Sequence, residues 1–296
     1  MKVSVSSYSF ISLLQKGEMS LLDCIEKTKA LGLDAIEFAG FPQLPEGTTA
    51  LDMAHTLREA SQRAELPIVS YTINADLFYG FKGATNGDEE VERLKREVDV
   101  AAALGVSLMR HDVTGGFKKA EHRGCGFNNL LPMLAKQCRE ITEYAEQKGI
   151  RTMVENHGFF AQDSDRIEIL VNAVAHPNFG VICDMGNFLC ADEDPVTAVS
   201  RLAPYTFLVH AKDFHVKSGM GPNPGRGFWA SRGGNFLRSA IIGHGDVPVL
   251  QCLRALKRAG YFGDDKYVSV EFEGMEDPIQ GISIGAENLR RYIGLL

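Results

Sequence analysis

Four apolar runs in the second half of the chain each end on a side chain able to bind a metal ion: RTMVE at Glu155, GVICD at Asp184, FLVH at His210 and VSVE at Glu271. A purely structural core would favour another Val or Leu at these positions. A buried, unpaired carboxylate loses its hydration, and three together repel one another unless a cation compensates. Three carboxylates and one imidazole form a hard, oxygen-rich donor set that suits Mn2+, Mg2+ or Co2+, with Zn2+ also accommodated and copper or iron–sulfur chemistry disfavoured. Singly, each residue has an ordinary reading as a salt-bridged or solvated strand-end group. Four on successive strand candidates predict one divalent ion.

The elements that must position them follow from the patterning. Short β-branched or apolar runs alternate with longer segments of helical period, which is the signature of βα units around a parallel sheet. The strand candidates are Lys2–Ser6, Ala35–Phe38, Pro67–Ile73, Ser107–His111, Arg151–Glu155, Gly180–Asp184, Phe207–Lys212 and Tyr267–Phe272. Helix candidates lie near Leu21–Leu31, Thr49–Glu65, Glu89–Leu104, Asn129–Lys148, Arg166–Ala175, Pro195–Leu202, Val247–Ala259 and Gly281–Ile293. Gly32, Gly105, Gly149 and Gly260 each stand where a helix would close before a strand. With no Pro- or Ser-rich linker, the pattern predicts an α/β fold, a (β/α)8 TIM barrel forming a single domain over residues 1–296. In such barrels the active site is built at the carboxyl ends of the strands, which is where the four candidate ligands fall.

One segment breaks the rhythm. The connection spanning about residues 213–246, rich in Gly and carrying the only Trp, is far longer than the roughly 2 to 6 residues usual for a βα loop. It is expected over the catalytic face as a lid or binding loop, the alternative being an insertion or a subunit contact. Around the ligand candidates, His157 follows Glu155 closely enough to orient a ligand or bind substrate, or else to serve as a helix cap. Lys212 and Asp213 follow His210 and either position substrate oxygens and the ligand shell or form a salt bridge between strands. Arg110 and His111 end the fourth strand within reach of a pocket, whereas His215 reads equally as a solvated loop residue. His55, His122, His176 and His244 lack metal-ligand spacing and read as surface or capping residues.

Composition narrows the partners. Hydrophobic residues at 45% and charged residues at 23% are ordinary for a globular chain with a large core, which excludes disordered and collagen-like classes. A net charge of -7 disfavours nucleic acid, which needs a basic surface to displace counterions. The six scattered cysteines form no CxxC pair and predict a reducing compartment. The opening MKVSVSSYSF has no sustained apolar region, and no stretch approaches the roughly 18 apolar residues of a membrane span. A cytoplasmic location, with no membrane partner, is the expectation. No GxGxxG follows the first strand, which disfavours NAD.

The motifs VENHG, CDMGN, HAKDFH, GHGDVP and VSVEFEG, in this order and spacing, resemble the xylose isomerase-like barrels, which include sugar and sugar-phosphate isomerases and epimerases such as tagatose 3-epimerase and hydroxypyruvate isomerase. The resemblance spans nearly the whole chain. It implies a small-molecule carbohydrate substrate, with Glu155 and Glu271, both metal-bound, acting on its opposite faces. One removes a proton beside a carbonyl and the other returns a proton to the enediolate, while the metal stabilises the developing oxyanion. Glu273 could replace Glu271 but lies beyond the strand, so Glu271 is preferred. Asn187 matches a position that in some such epimerases is a substrate-contacting histidine; the difference leaves the activity open. Family precedent and the long loop suggest a homo-oligomer. The same barrel admits a dehydratase of the inosose or dehydroshikimate type. An abasic-site endonuclease is disfavoured, because the segment FLRSAIIGHG lacks the extra Asp and His ligands that its three zinc ions require. A non-catalytic carbohydrate-binding protein is the rival of another class, and would have no need of two acid–base glutamates.

Overall fold

The alternation of apolar runs and amphipathic segments resolves, in a computed structural model describing residues 1–118 and 124–296, into one closed sheet ringed by helices. His122 lies outside the described residues. In chain order the elements are β1 (Lys2–Ser6), α1 (Ile11–Gln15), α2 (Leu21–Ala30), β2 (Ala35–Ala39), α3 (Ala50–Arg63), β3 (Ile68–Ile73), α4 (Gly87–Leu104), β4 (Leu108–His111), α5 (Phe127–Glu146), β5 (Arg151–Glu155) and α6 (Ser164–Val174). They continue as β6 (Phe179–Asp184), α7 (Pro195–Leu202), β7 (Thr206–Ala211), β8 (Asp213–Lys217), β9 (Trp229–Ala230), β10 (Phe236–Ala240), α8 (Val249–Arg258), β11 (Tyr267–Val270) and α9 (Pro278–Ile293). The barrel order is β1-β11-β7-β6-β5-β4-β3-β2, every pairing parallel. This is the (β/α)8 TIM barrel that the patterning predicts.

Local chemistry sets the element ends. Ser20 and Thr49 accept from the backbone N–H of Asp23 and Asp52, whose carboxylates bind back to the cap residues, so α2 and α3 each start on a reciprocal pair. The eighth barrel strand stops at Val270, short of the expected Phe272. The reason is that Ser9 Oγ donates to Val270 O (3.1 Å) and accepts from Phe272 N (2.9 Å), pulling the chain out of the ladder.

Strand residues alternate between two environments. Val154, Val181, Cys183, Val209 and Val270 join the large core between sheet and helices. Met153, Ile182 and Leu208 form a separate buried cluster inside the barrel. Two residues further along the same face stand Glu155, Asp184 and His210. The alternation that plugs the barrel with aliphatic side chains therefore also delivers the polar groups to its carboxyl end.

The long segment after β7 folds as a small antiparallel sheet of order β8-β10-β9. Trp229 packs edge-on against Phe214, 5.4 Å between centroids. Asp192, just beyond β6, ties the segment down by accepting from Ser231 Oγ (2.6 Å), Asn235 Nδ2 (2.8 Å) and the N–H of Gly233. Arg232 pairs with Asp163 and the carbonyl of Phe159. No helix among the described residues is long and apolar enough to cross a membrane.

Candidate metal centre and active site

Register brings the four ligand candidates together. Asp184 of β6 lies beside His210 of β7, and the N–H of Glu271 donates to Ala211 O (3.0 Å) just past β11. One donor atom from each of Glu155, Asp184, His210 and Glu271 falls within 4.8 Å of every other, and all four residues are buried. Ligand atoms around an ion at about 2.0–2.2 Å stand roughly 3 to 4.4 Å apart, so the spacing fits a small divalent cation. His210 Nδ1 is 3.6 Å from Glu271 Oε2, 3.9 Å from Glu155 Oε1 and 4.0 Å from Asp184 Oδ2.

Three of the four ligand candidates are oriented by partners outside the cluster. His210 Nε2 is 2.7 Å from Glu37 Oε1, the carboxylate–imidazole pairing that fixes the ring so that Nδ1 faces the cluster. Asp184 Oδ1 accepts from the N–H groups of Gly186 (2.7 Å) and Asn187 (2.9 Å), leaving Oδ2 free. Asn156 brackets the Asp184 backbone with two hydrogen bonds. Gly186 is required by a close approach, because a Cβ there would stand 2.8 Å from Lys212 O. Glu155 is held through Oε1 by Asn187 Nδ2 (2.9 Å) and through Oε2 by Arg110 Nη2 (2.6 Å).

Two buried atoms, Asp184 Oδ2 and His210 Nδ1, have no hydrogen-bond partner, and both point into the cluster. Orphaned buried polar atoms are rare in native structures, and one explanation is an ion that they ligate. Charge agrees. Among the described residues, the carboxylates of Glu37, Asp112, Glu155, Asp184, Glu271 and Glu273 face only Arg110 and Lys212 as permanent cations. Burial, reinforced by Glu271 and Glu155 and offset by Lys212, pushes the Asp184 carboxyl up to about 7. Burial also acts to raise Glu271, but Lys212 and His210 overcome it and hold this carboxyl well below the usual range. The residues present thus fit a divalent cation, which Glu155, Asp184, His210 and Glu271 could hold.

Lys212 is buried between Glu271 Oε2 (2.6 Å), Glu273 Oε1 (3.2 Å) and Asp184 Oδ2 (3.6 Å), and its ammonium also reaches Asn187 Oδ1 (3.4 Å). Both of its sequence readings therefore meet in one residue: it bridges strand ends and it lines the cavity. The cavity, about 630 Å3, is lined at its floor by Arg110, Glu155, His210, Lys212, Glu271 and Glu273. His157 lies on the rim, exposed, with Nδ1 2.9 Å from Asp112 Oδ1. Asn187 touches Glu155 and Lys212 and does not line the cavity; it supports two groups that do. Asp213 faces away from the floor and gathers the N–H groups of Phe214, Gly243, Gly245 and Val247, fixing the return from the small sheet. His111 is buried off the cavity, and His215 lies on β8.

None of the cavity-lining side chains comes from residues 213–246. The wall instead comes from the segments after β1, β2 and β3, including Tyr8, Phe41, Leu44 and Asn74. Sequence reasoning also missed Glu37 and Asp112. Glu37 had a readable signal, a carboxylate in mid-strand within AIEFA, whereas Asp112 is ordinary in a loop and gains meaning only from Arg110 (2.6 Å) and His157.

The family model for xylose isomerase-like TIM barrels matches residues 25–292. No curated protein matches the chain. Among solved structures, the IOLI protein with a bound zinc atom superposes with a TM-score of 0.75 at 18% identity, covering 100% of this chain and 99% of that one. The probable 3-DHS dehydratase AsbF of Bacillus anthracis gives 0.70 at 17% identity, covering 98% and 99%. The 3-keto-D-glucoside 4-epimerase YcjR of E. coli gives 0.68 at 14% identity, also covering 98% and 99%. At these identities the likeness is one of fold.

Proposed function

The chain belongs to the xylose isomerase-like TIM barrel family, and from that premise we propose that it is a divalent-metal-dependent isomerase or epimerase of sugars or sugar phosphates, working by proton transfer through an enediolate. The observation that carries this reading is the convergence of four buried donor atoms within 4.8 Å, two ligand atoms otherwise without partners, at the floor of a cavity. A divalent ion bound there supplies electrophilic stabilisation to the substrate oxygen that gains charge, with Mn2+, Mg2+ or Co2+ favoured by the donor set and Zn2+ accommodated.

The protein's own groups divide the remaining work. Glu155 and Glu271 are the acid–base pair, since both line the cavity and each is held by a cation on one oxygen. Arg110 and Asn187 fix the rotamer of Glu155, while Lys212 keeps Glu271 ionised and ready to accept a proton. Lys212, Arg110 and His157 are placed to receive substrate hydroxyl or carbonyl oxygens, with Asn187 acting through the groups it touches. A second reading is a dehydratase, in which the same abstraction is followed by loss of a β-hydroxyl. The buried Lys212 ammonium beside Glu273 gives a second charged pair at the floor where a leaving oxygen could be met, and AsbF shares the fold over the full chain.

The test is chelator-stripped protein incubated with a panel of free and phosphorylated ketoses in D2O, with and without Mn2+, followed by NMR. Metal-dependent deuterium incorporation into an isomer or epimer, lost in Glu155→Gln and Glu271→Gln with metal content measured alongside, is the expected result. Exchange accompanied by loss of water would replace the isomerase with the dehydratase. Binding of less than one equivalent of metal, with no exchange, would overturn the site.

A further inference from the structure

Resting on the reading that the floor acts on a sugar, we propose that the outer part of the same cavity is a subsite for a second ring, so that the substrate is a glycoside with a carbonyl on its reacting ring rather than a free monosaccharide.

Size is the first observation. The cavity of about 630 Å3 falls within the range of roughly 300–1,000 Å3 that holds drug-sized ligands, and a single hexose is much smaller than these. The second is the contrast between its walls. Beyond the charged floor one wall is apolar and open to solvent, formed by Tyr8, Ile11, Phe41, Pro42 and Leu44. Tyr8 and Leu44 are 37% and 39% exposed, so this wall offers apolar surface that a bound ring would cover. The same cavity also has a polar wall of Asn74, Arg93 and Glu97.

Both walls are pre-organised. The Phe41 ring is backed by Tyr71 (5.4 Å between centroids) and Phe38 (6.4 Å), so it presents a fixed face. On the polar side, Tyr71 donates to Glu97 Oε2 (2.8 Å), Arg93 Nη1 lies 3.3 Å from Glu97 Oε1, and Arg93 is itself fixed by Glu90 and the carbonyl of Asn74. A sugar ring has an apolar C–H face and a rim of hydroxyls, which matches an aromatic wall adjoining fixed acceptors and donors. Preorganisation limits the ordering entropy that binding would otherwise lose. The Arg93 guanidinium is already paired with two carboxylates, so it serves to fix this polar wall.

The experiment is ligand titration of the Mg2+-loaded full chain by saturation-transfer NMR with D-glucose, methyl β-D-glucoside, phenyl β-D-glucoside and cellobiose. The two-ring probes are expected to bind about tenfold tighter than the others, the gain from covering roughly 60 Å2 of apolar surface, with saturation strongest on the second ring. Phe41→Ala and Leu44→Ser should remove that advantage and leave monosaccharide affinity and metal binding unchanged. Equal affinity for one- and two-ring probes, an advantage that survives both variants, or no binding by any probe would overturn the subsite. Proton exchange on free ketoses without ring preference would leave the catalytic reading standing and sink the subsite alone. Second-ring binding without exchange on any ketose or keto-glycoside would do the reverse.

Discussion

The two halves of the barrel are built for different tasks. Strands β5, β6 and β7 each carry one ligand candidate and the fourth directly follows β11, and beneath the first three lies the aliphatic plug of Met153, Ile182 and Leu208. From β1 to β4 the strands carry smaller polar groups, with Ser4, Ser6, Ser70 and Thr72 buried, and their following segments supply most of the cavity wall. The reacting groups therefore stand on regular strands locked by register, and the surfaces that would choose a substrate stand on irregular connections. This division lets recognition vary without disturbing the ligand geometry, because precision is highest where sites rest on rigid elements. Glu37 and Arg110 are the crossing points, rooted in one half and touching a ligand of the other.

The comparison breaks most visibly at the ligands. Asp184→Asn keeps the bonds to Gly186 and Asn187 within reach but removes a ligand charge, and Mn2+ affinity by calorimetry is expected to fall by more than about 100-fold, beyond the 10- to 100-fold typical of supporting residues. Glu37→Gln, on the opposite half, tests the crossing point, with an expected loss within that 10- to 100-fold range because the imidazole loses its carboxylate partner. Metal itself should stabilise the fold: at about 100 times its Kd it contributes roughly 2.7 kcal/mol, readable as a Tm increase of several degrees that vanishes in Asp184→Asn. Asp192→Ala should release the small sheet from the rim, raising hydrogen exchange across Trp229–Ala240 while changing metal affinity less than about twofold. A large change in metal affinity there would show that the small sheet reaches the centre after all.

Legibility followed the same division. β1 and β5 have the bounds that their apolar alternation predicts, and the four ligand candidates were visible because each interrupts an apolar run at its end. Register then did what a linear pattern cannot, converting four strand ends into one cluster. The wall was not legible, since FPQLPEG carries no period and Phe41 acquires its role only by standing against Tyr71. The small sheet was hidden for a related reason: its strands are short, and Gly-rich stretches between them read as plain loop. That segment drew attention by its length, yet the cavity is lined from the other side of the barrel. Length marks an unusual segment and says nothing of the direction in which it packs.

The pairing of His210 with Glu37 joins positions separated by 173 residues, and Ser9 spans still further to Val270 and Phe272. Contacts of such separation form late, because the long loops they close must be ordered first. All four ligands lie in the second half of the chain, whereas the carboxylate that orients the imidazole arrives with the first. An ion bound at the proposed centre would act as a clasp on the ring's final seam, tightening its grip only once the two ends of the polypeptide have met. The ion-binding constant becomes a gauge of closure, and a chain opened between β1 and β11 would lose its hold on the metal before it lost its helices.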